Sequence, residues 1–434
     1  MESIKLQYGT DKIELRCPES SIIYNSEYNC QNIEASVLLL ESLLEPVNSK
    51  SFVDLITKRK SGNVVIVVSD ITRPIPYKDF LPVLLNLLEN SKVERSEIII
   101  LIATGMHRPS TEHERLQMFG EYVANNYQII DHKCEDDKDL IELDGYSWSG
   151  SKVKLNRYYV EASFKIITGL VEPHFMAGFS GGRKSVCPGL AGLETVKKFH
   201  GYDFLKNPNA SSTIIKENPC HNENSSIAKM CPPDFSINIV LDNYKKINQI
   251  ISGELFESHL KAIDFVKRAC CPQVKEQAEL VISSCGGYPL DATFYQCVKG
   301  FVNCLPAVKT GGEIFAFGSC LEGIGSPEYE NLMLNYNRQE MKFLKDISSG
   351  RNFTKDQWQF QMHLRVVDKI GKSNLHFFSS NIPLIKLKQL SVNGHFLKRE
   401  QIERTIQKTI DQYTKLNKKI AILPEGPYCS PILN

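Results

Sequence analysis

The chain has 434 residues, with 51 Lys and Arg against 50 Asp and Glu, a balance that speaks against nucleic acid or an anionic membrane as its main partner. Its length exceeds one ordinary core and predicts two domains, and 42% hydrophobic with 23% charged residues is a globular composition. No apolar run approaches the roughly 18 residues that cross a bilayer, and Met1-Glu2-Ser3-Ile4-Lys5 lacks the layout of a secretory signal, so cytoplasmic small-molecule chemistry is the expectation.

Val64-Val-Ile-Val-Val-Ser69 is the first clear strand, a β-branched run ending in the turn Asp70-Ile-Thr-Arg-Pro74. Glu97-Ile-Ile-Ile-Leu-Ile102 is the second. Thr111, three residues ahead of Glu114, forms a capping box that opens a helix toward Phe119, which leaves Ala103-Thr-Gly-Met-His-Arg108 as a loop. Phe164-Lys-Ile-Ile-Thr168 leads into Gly169-Leu-Val-Glu-Pro-His174. Leu193 to His200 reads as a short helix stopped by Gly201, with His200 in its last turn. Ser236-Ile-Asn-Ile-Val-Leu241 is a fourth strand, and a helix over 257–271 ends at Cys-Pro, which sets a domain boundary. Residues 1–271 then form an N-terminal α/β domain carrying the cofactor and histidine loops, and 272–434 a smaller α/β domain contributing substrate contacts. In the latter, strand 279–283, the loop Cys285-Gly-Gly-Tyr-Pro289, a helix capped by Asp291 and strand 313–317 repeat the pattern. Apolar runs alternating with helices predict an α/β fold with largely parallel or mixed sheets flanked by helices, and an active site in the cleft between the domains. The 13 cysteines are scattered, odd in number and free of any C-x-x-C pair, which predicts reduced, mostly buried thiols.

In open α/β sheets ligands bind beyond the carboxyl ends of the strands. There the sequence delivers Asp70, Arg73, His107 and His174. Singly, Asp70 is a turn residue and either histidine a hydrogen-bonded loop residue; two imidazoles at sister strand ends instead suit base and acid work on two faces of one carbon. His174-Phe-Met-Ala-Gly-Phe-Ser-Gly-Gly-Arg-Lys-Ser185 resembles a phosphate loop, yet Arg183 separates Gly182 from Lys184 and no strand runs straight into Gly178. Its glycines suggest close approach to a bulky ligand. His200 is either a helix-end cap or, as a neutral imidazole, a metal ligand. Gln296 and Lys299 share one helix face that could hold a carboxylate, and Trp358 is core or pocket.

Taken together, Asp70-Ile-Thr-Arg-Pro74, Ala103-Thr-Gly-Met-His-Arg-Pro109, Pro173 to Ser185, Pro188-Gly189, His200, Gly286-Gly-Tyr-Pro-Leu-Asp291, Tyr295-Gln296, Lys299 and Trp358 resemble the nickel-dependent lactate racemase family, in order and nearly end to end. The resemblance implies an isomerase that racemises a short 2-hydroxy acid, lactate first, on a nickel-pincer nucleotide, a pyridinium-3,5-bisthiocarboxylic acid mononucleotide bound covalently to Lys184. It further implies His200 as nickel ligand, Asp70, Ile71, Thr72 and Arg73 as nucleotide contacts, and His107 and His174 as alternating acid and base during proton-coupled hydride transfer. Arg73, Tyr295, Gln296, Lys299 and Trp358 would bind the substrate, and cofactor-building enzymes would load the protein. Ile71, Met176 and the loop Cys320-Leu-Glu322 depart from the family pattern and touch pocket shape. Three alternatives stand beside this reading: the same chemistry on a larger acid such as malate, phenyllactate or a sugar acid; a non-catalytic nucleotide or phosphate binder; and a zinc hydrolase, which lacks the i, i+4 histidine pair.

Overall fold

Val64, Val65, Ile66, Val67 and Val68 are all fully buried, which a strand achieves only when both faces of its sheet are covered. In the computed structural model, which describes residues 2–28, 33–350 and 353–433, this strand, Val64–Ser69, is central to a six-stranded sheet. Its order is Ile247–Gly253, Phe235–Leu241, Phe164–Leu170, Val64–Ser69, Ile98–Ala103 and Gln128–Asp131. All neighbours are parallel except the outermost pair, 235–241 with 247–253. Helix Leu81–Asn90 lays Leu81, Leu84, Leu85 and Leu88 into the core at helical spacing, and each such buried leucine contributes about 1.5–3 kcal/mol. The capping box forms as expected, with Glu114 N donating to Thr111 Oγ1 at 3.2 Å and Thr111 N to Glu114 Oε2 at 2.8 Å.

A second six-stranded sheet runs Asn393–Phe396, Leu375–Ser379, Val308–Phe317, Ala278–Ser284, Ile420–Leu423 and Ile22–Ile23, parallel throughout. The α/β class with parallel and mixed sheets is therefore as expected.

The chain divides into two units that are not consecutive in sequence. One comprises Tyr28–His200 and Asn209–Val266, the other Met1–Glu27, Gly201–Pro208 and Lys267–Asn434. The expected division at 271/272 lies five residues from the change of unit at Val266/Lys267, while residues 1–27 and 201–208 group with the C-terminal unit. The hairpin Glu2–Tyr8 and Asp11–Cys17 buries Leu6, Ile13 and Leu15 against Leu280, Ile402, Ile406 and Ile410 of the second unit, and Ile22–Ile23 adds an edge strand to that unit's sheet. Local patterning marks the hairpin as a half-buried pair of strands but does not say which core covers it. Segment 201–208 is held there too, with Gln361 Nε2 donating to the Tyr202 carbonyl at 3.2 Å and Arg365 to those of Leu205 and Asn207.

A second correction concerns Asp291. The helix Phe294–Val302 is capped by Thr293, whose Oγ1 accepts from Gln296 N at 3.3 Å. Asp291 lies in the preceding turn and spends its carboxylate on Gly9 N at 2.7 Å and Ser319 N at 3.0 Å, tying the hairpin to this unit. Every described cysteine is a buried thiol, and neighbouring Cys270 and Cys271 hold their sulfurs 4.0 Å apart; Cys30 lies outside the described residues. No described helix is long and apolar enough to cross a membrane.

Candidate active site

Strand Val64–Ser69 has the next strand in sequence, Ile98–Ala103, on one side and Phe164–Leu170 on the other. The chain reverses its winding at this strand, and that reversal opens a crevice at the carboxyl ends. Asp70 follows the central strand and accepts from Thr72 N and Oγ1 at 3.2 and 2.6 Å. Its other oxygen meets His107 Nδ1 at 2.5 Å. Burial acts to raise the Asp70 carboxyl, but the bonds from His107 and Thr72 and the Arg73 charge outweigh it, so the group is held below the ordinary aspartate range. With Nδ1–H committed to the carboxylate, His107 presents the lone pair of Nε2. Arg73 reaches Glu172 at 3.9 Å, bridging the loops after the two neighbouring strands. Ile71 is half-buried and packs against the core of this unit.

His174 stands beyond Leu170 on a two-residue strand paired with Gly178–Phe179. Its Nδ1 accepts from Met176 N and Ala177 N at 3.3 and 3.2 Å, so its ring proton sits on Nε2. The two histidines are thus set in opposite senses.

Lys184 belongs to one turn of 3-10 helix, Gly182–Ser185, not to a phosphate loop opening a long helix. Two positive-φ glycines make the turn possible. Gly181 (φ 75°) and Gly182 (φ 50°) are packed so closely that an added Cβ would lie 2.9 Å from the Leu170 carbonyl at the first and 2.6 Å from the His259 ring at the second. The glycines therefore serve the protein's own packing, not the ligand approach expected of them. Ser185 Oγ donates to the Thr168 carbonyl at 2.9 Å and Gly105 N to that of Gly189 at 3.0 Å, which fastens the lysine turn to two strand ends. Lys184 Nζ lies 5.1 Å from the centre of the Phe199 ring. Burial, then the positive charge of Arg73, brings its ammonium down to about 7. His200 caps helix Leu193–Phe199, its Nδ1 donating to the Val196 carbonyl at 2.9 Å, so the lone pair is on Nε2. Burial, reinforced by the charge of Lys184, lowers it to about 3 and keeps it neutral. An amine that loses its proton near 7 and a neutral imidazole lie within electrostatic reach of each other, and His107 also bears on His200.

In the other unit, Tyr295, Gln296 and Lys299 lie on the helix Phe294–Val302. Among the described residues Gln296 Oε1 is buried with no hydrogen-bond partner, a state that buried polar atoms rarely keep. The Tyr295 hydroxyl donates to Asp356 Oδ1 at 3.0 Å. Trp358 is 8% exposed and stacks on Phe353 with ring centres 6.0 Å apart.

The sequence of this chain matches the lactate racemase N-terminal domain over residues 8–213 and the lactate racemase C-terminal domain over 273–428. It is 35% identical to the lactate racemase of Thermoanaerobacterium thermosaccharolyticum over 372 residues, 85% of this chain and 86% of that protein. The lactate racemase of Lactiplantibacillus plantarum is 32% identical over 388 residues, covering 89% and 88%. The chain belongs to the lactate racemase family. It is accordingly a racemase, an isomerase. The lactate racemase apoprotein structure from T. thermosaccharolyticum superposes over the whole of both chains with TM-score 0.88 at 31% identity. A Thermotoga maritima protein shares the fold alone, with TM-score 0.65 at 16% identity, over 88% of this chain and 96% of its own.

Sequence reasoning on this racemase missed one buried acid. Asp356 sits at φ 66° and 6% exposure at the start of helix Gln357–Ile370, accepting from Tyr295 and, at 2.5 Å, from Ser326 Oγ. Its placement two residues before Trp358 was the available signal. Also missed were Arg183, His221 and His259, a buried cluster beneath the lysine turn.

Proposed function

We propose that this racemase interconverts the enantiomers of lactate on a nickel-pincer nucleotide held by Lys184 and His200. The observation that carries the reading is a buried lysine brought down to about 7 within electrostatic reach of an imidazole held neutral near 3. An un-ionised lysine amine is the form that makes a covalent bond to a carboxylic or thioacid group, and a neutral imidazole is the form that ligates nickel. Among the described residues no group of three or more His, Cys, Asp or Glu could hold a metal. That supports a metal centre in which His200 is one ligand and the other donors come with the nucleotide, and it counts against a zinc hydrolase. When bound, the nucleotide supplies the hydride acceptor and donor for the substrate α-carbon.

The remaining work falls to side chains. His107 takes the hydroxyl proton at Nε2, and Asp70 holds the ring in place and stabilises the imidazolium that results. His174, with its proton on Nε2, faces the opposite task, donating to the oxygen as the alcohol re-forms. The roles exchange in the reverse direction. Asp70 to Arg73 hold the nucleotide, Arg73, Gln296 and Lys299 orient the substrate carboxylate and hydroxyl, and Tyr295 and Trp358 bound the space.

Intact-mass spectrometry of protein produced beside the cofactor-building enzymes tests this. The parent chain should gain the mass of the nucleotide and racemise lactate, and the Lys184→Ala chain should do neither. Parent protein of unmodified mass that still racemised lactate would end the proposal. Turnover of malate or phenyllactate in place of lactate would keep the chemistry and overturn the substrate.

A further inference from the structure

Arg183 is 2% exposed and forms no ion pair among the described residues. Its Nη1 donates to His259 Nδ1 at 2.6 Å, its Nη2 to His221 Nδ1, and its Nε reaches no acceptor. His259 is fixed from its far side, Nε2 donating to the Ser180 carbonyl at 2.8 Å. Two neutral imidazoles offer dipoles but no negative charge, so a buried cation stands uncompensated. Burial alone brings the guanidinium down to about 9.

His221 extends that hydrogen-bond chain outward. Because its Nδ1 accepts from Arg183, its proton sits on Nε2, and the ring lines a cavity of about 770 Å³ lying wholly within the first unit. The floor is one stripe of helix Pro219–Met230, where His221, Ser225 and Lys229 recur every four residues. Tyr146 and Trp148 form a wall, 66% and 55% exposed. Their loop is pinned to the same helix by Glu223, which accepts from Ser149 N and Oγ at 2.9 Å each. Phe256 closes the other side, 5.2 Å from Lys229 Nζ. Exposed aromatic faces over a cationic floor match a ligand that combines a ring with negative charge.

We propose that this cavity is a second binding site, taking a small anion carried on a flat ring, with the ring against Tyr146, Trp148 and Phe256 and the anionic group at Lys229 and His221 Nε2. Aromatic carboxylates and nucleoside monophosphates share that chemistry. Neither Lys184 nor His200 lines this cavity, and Arg183 links His221 to the lysine turn.

Trp148 and Trp358 are the two tryptophans, so Trp358→Phe leaves Trp148 as the sole emitter, on the wall of the cavity. This full-length protein is titrated with AMP, benzoate, adenosine and inorganic phosphate. We expect saturable quenching by AMP or benzoate, at least tenfold weaker binding of adenosine and phosphate, and at least tenfold weakening by Lys229→Glu. Lys229 is exposed, so that variant should keep the parent's thermal unfolding curve. Response to AMP alone identifies a nucleotide ligand, and response to benzoate alone an aromatic acid. No saturable change with either, adenosine binding as tightly as AMP, or equal affinity in Lys229→Glu would overturn the proposal.

Discussion

An ammonium that loses its proton near 7 is substantially un-ionised at neutral pH, whereas exposed lysines lose theirs near 10.4. Lys184 should therefore react first when the cofactor-free chain meets limiting acetic anhydride at pH 7, with a rate rising through about 7; peptide mapping that found it no faster than surface lysines would refute the shift. The sign for stability follows. Between about 7 and the unfolded value the unfolded chain binds more protons, so stability should climb with pH there, and Lys184→Met should flatten that climb in denaturant melts. Asp70 behaves in the opposite sense. Its folded value is depressed, so its contribution is present above the ordinary aspartate range and lost as pH falls through the folded value. Asp70→Asn should leave His107 without its carboxylate and cut lactate turnover on the order of 100-fold. An unchanged kcat in that variant would show that the pair does no catalytic work.

At the scale of elements, substrate contacts on one helix depend on how that helix is begun and braced. Thr293 caps it and Asp356 anchors Tyr295 from a left-handed backbone position. Asp356→Gly keeps the backbone and removes the carboxylate, so its effect isolates the hydrogen bonds. The expected result is a rise in KM for lactate of roughly tenfold, about 1.4 kcal/mol, with kcat nearly retained. Falling thermal stability with an unchanged KM would make Asp356 a structural residue only. Strands 64–69, 98–103 and 164–170 were legible within one or two residues, because runs of buried β-branched residues between turn signals have few other uses. The Asp291 cap was misread. Local spacing cannot reveal that its carboxylate is taken by Gly9 and Ser319, 282 and 28 residues away.

For the whole molecule, the N-terminal hairpin shows how far chain order and domain order part. Its apolar face belongs to the core of Leu280 and Ile406, so Ile13→Ala should cost about 2–4 kcal/mol in that unit. Hydrogen exchange should locate the loosening in 278–284 and 399–415 and leave strand 64–69 protected; loss of protection in 64–69 instead would contradict the division.

The sequence alone determined the α/β class, the strand ends that carry Asp70, His107 and His174, and the family, because periodicity and motif spacing are local properties of the chain. Only the tertiary structure decided which core covers the hairpin, that Ile71 packs on the core of its unit, that His107 pairs with Asp70, and that burial depresses the titration of both Lys184 and His200. Those depend on burial and on charges distant in sequence, and no spacing of residues encodes a desolvation energy.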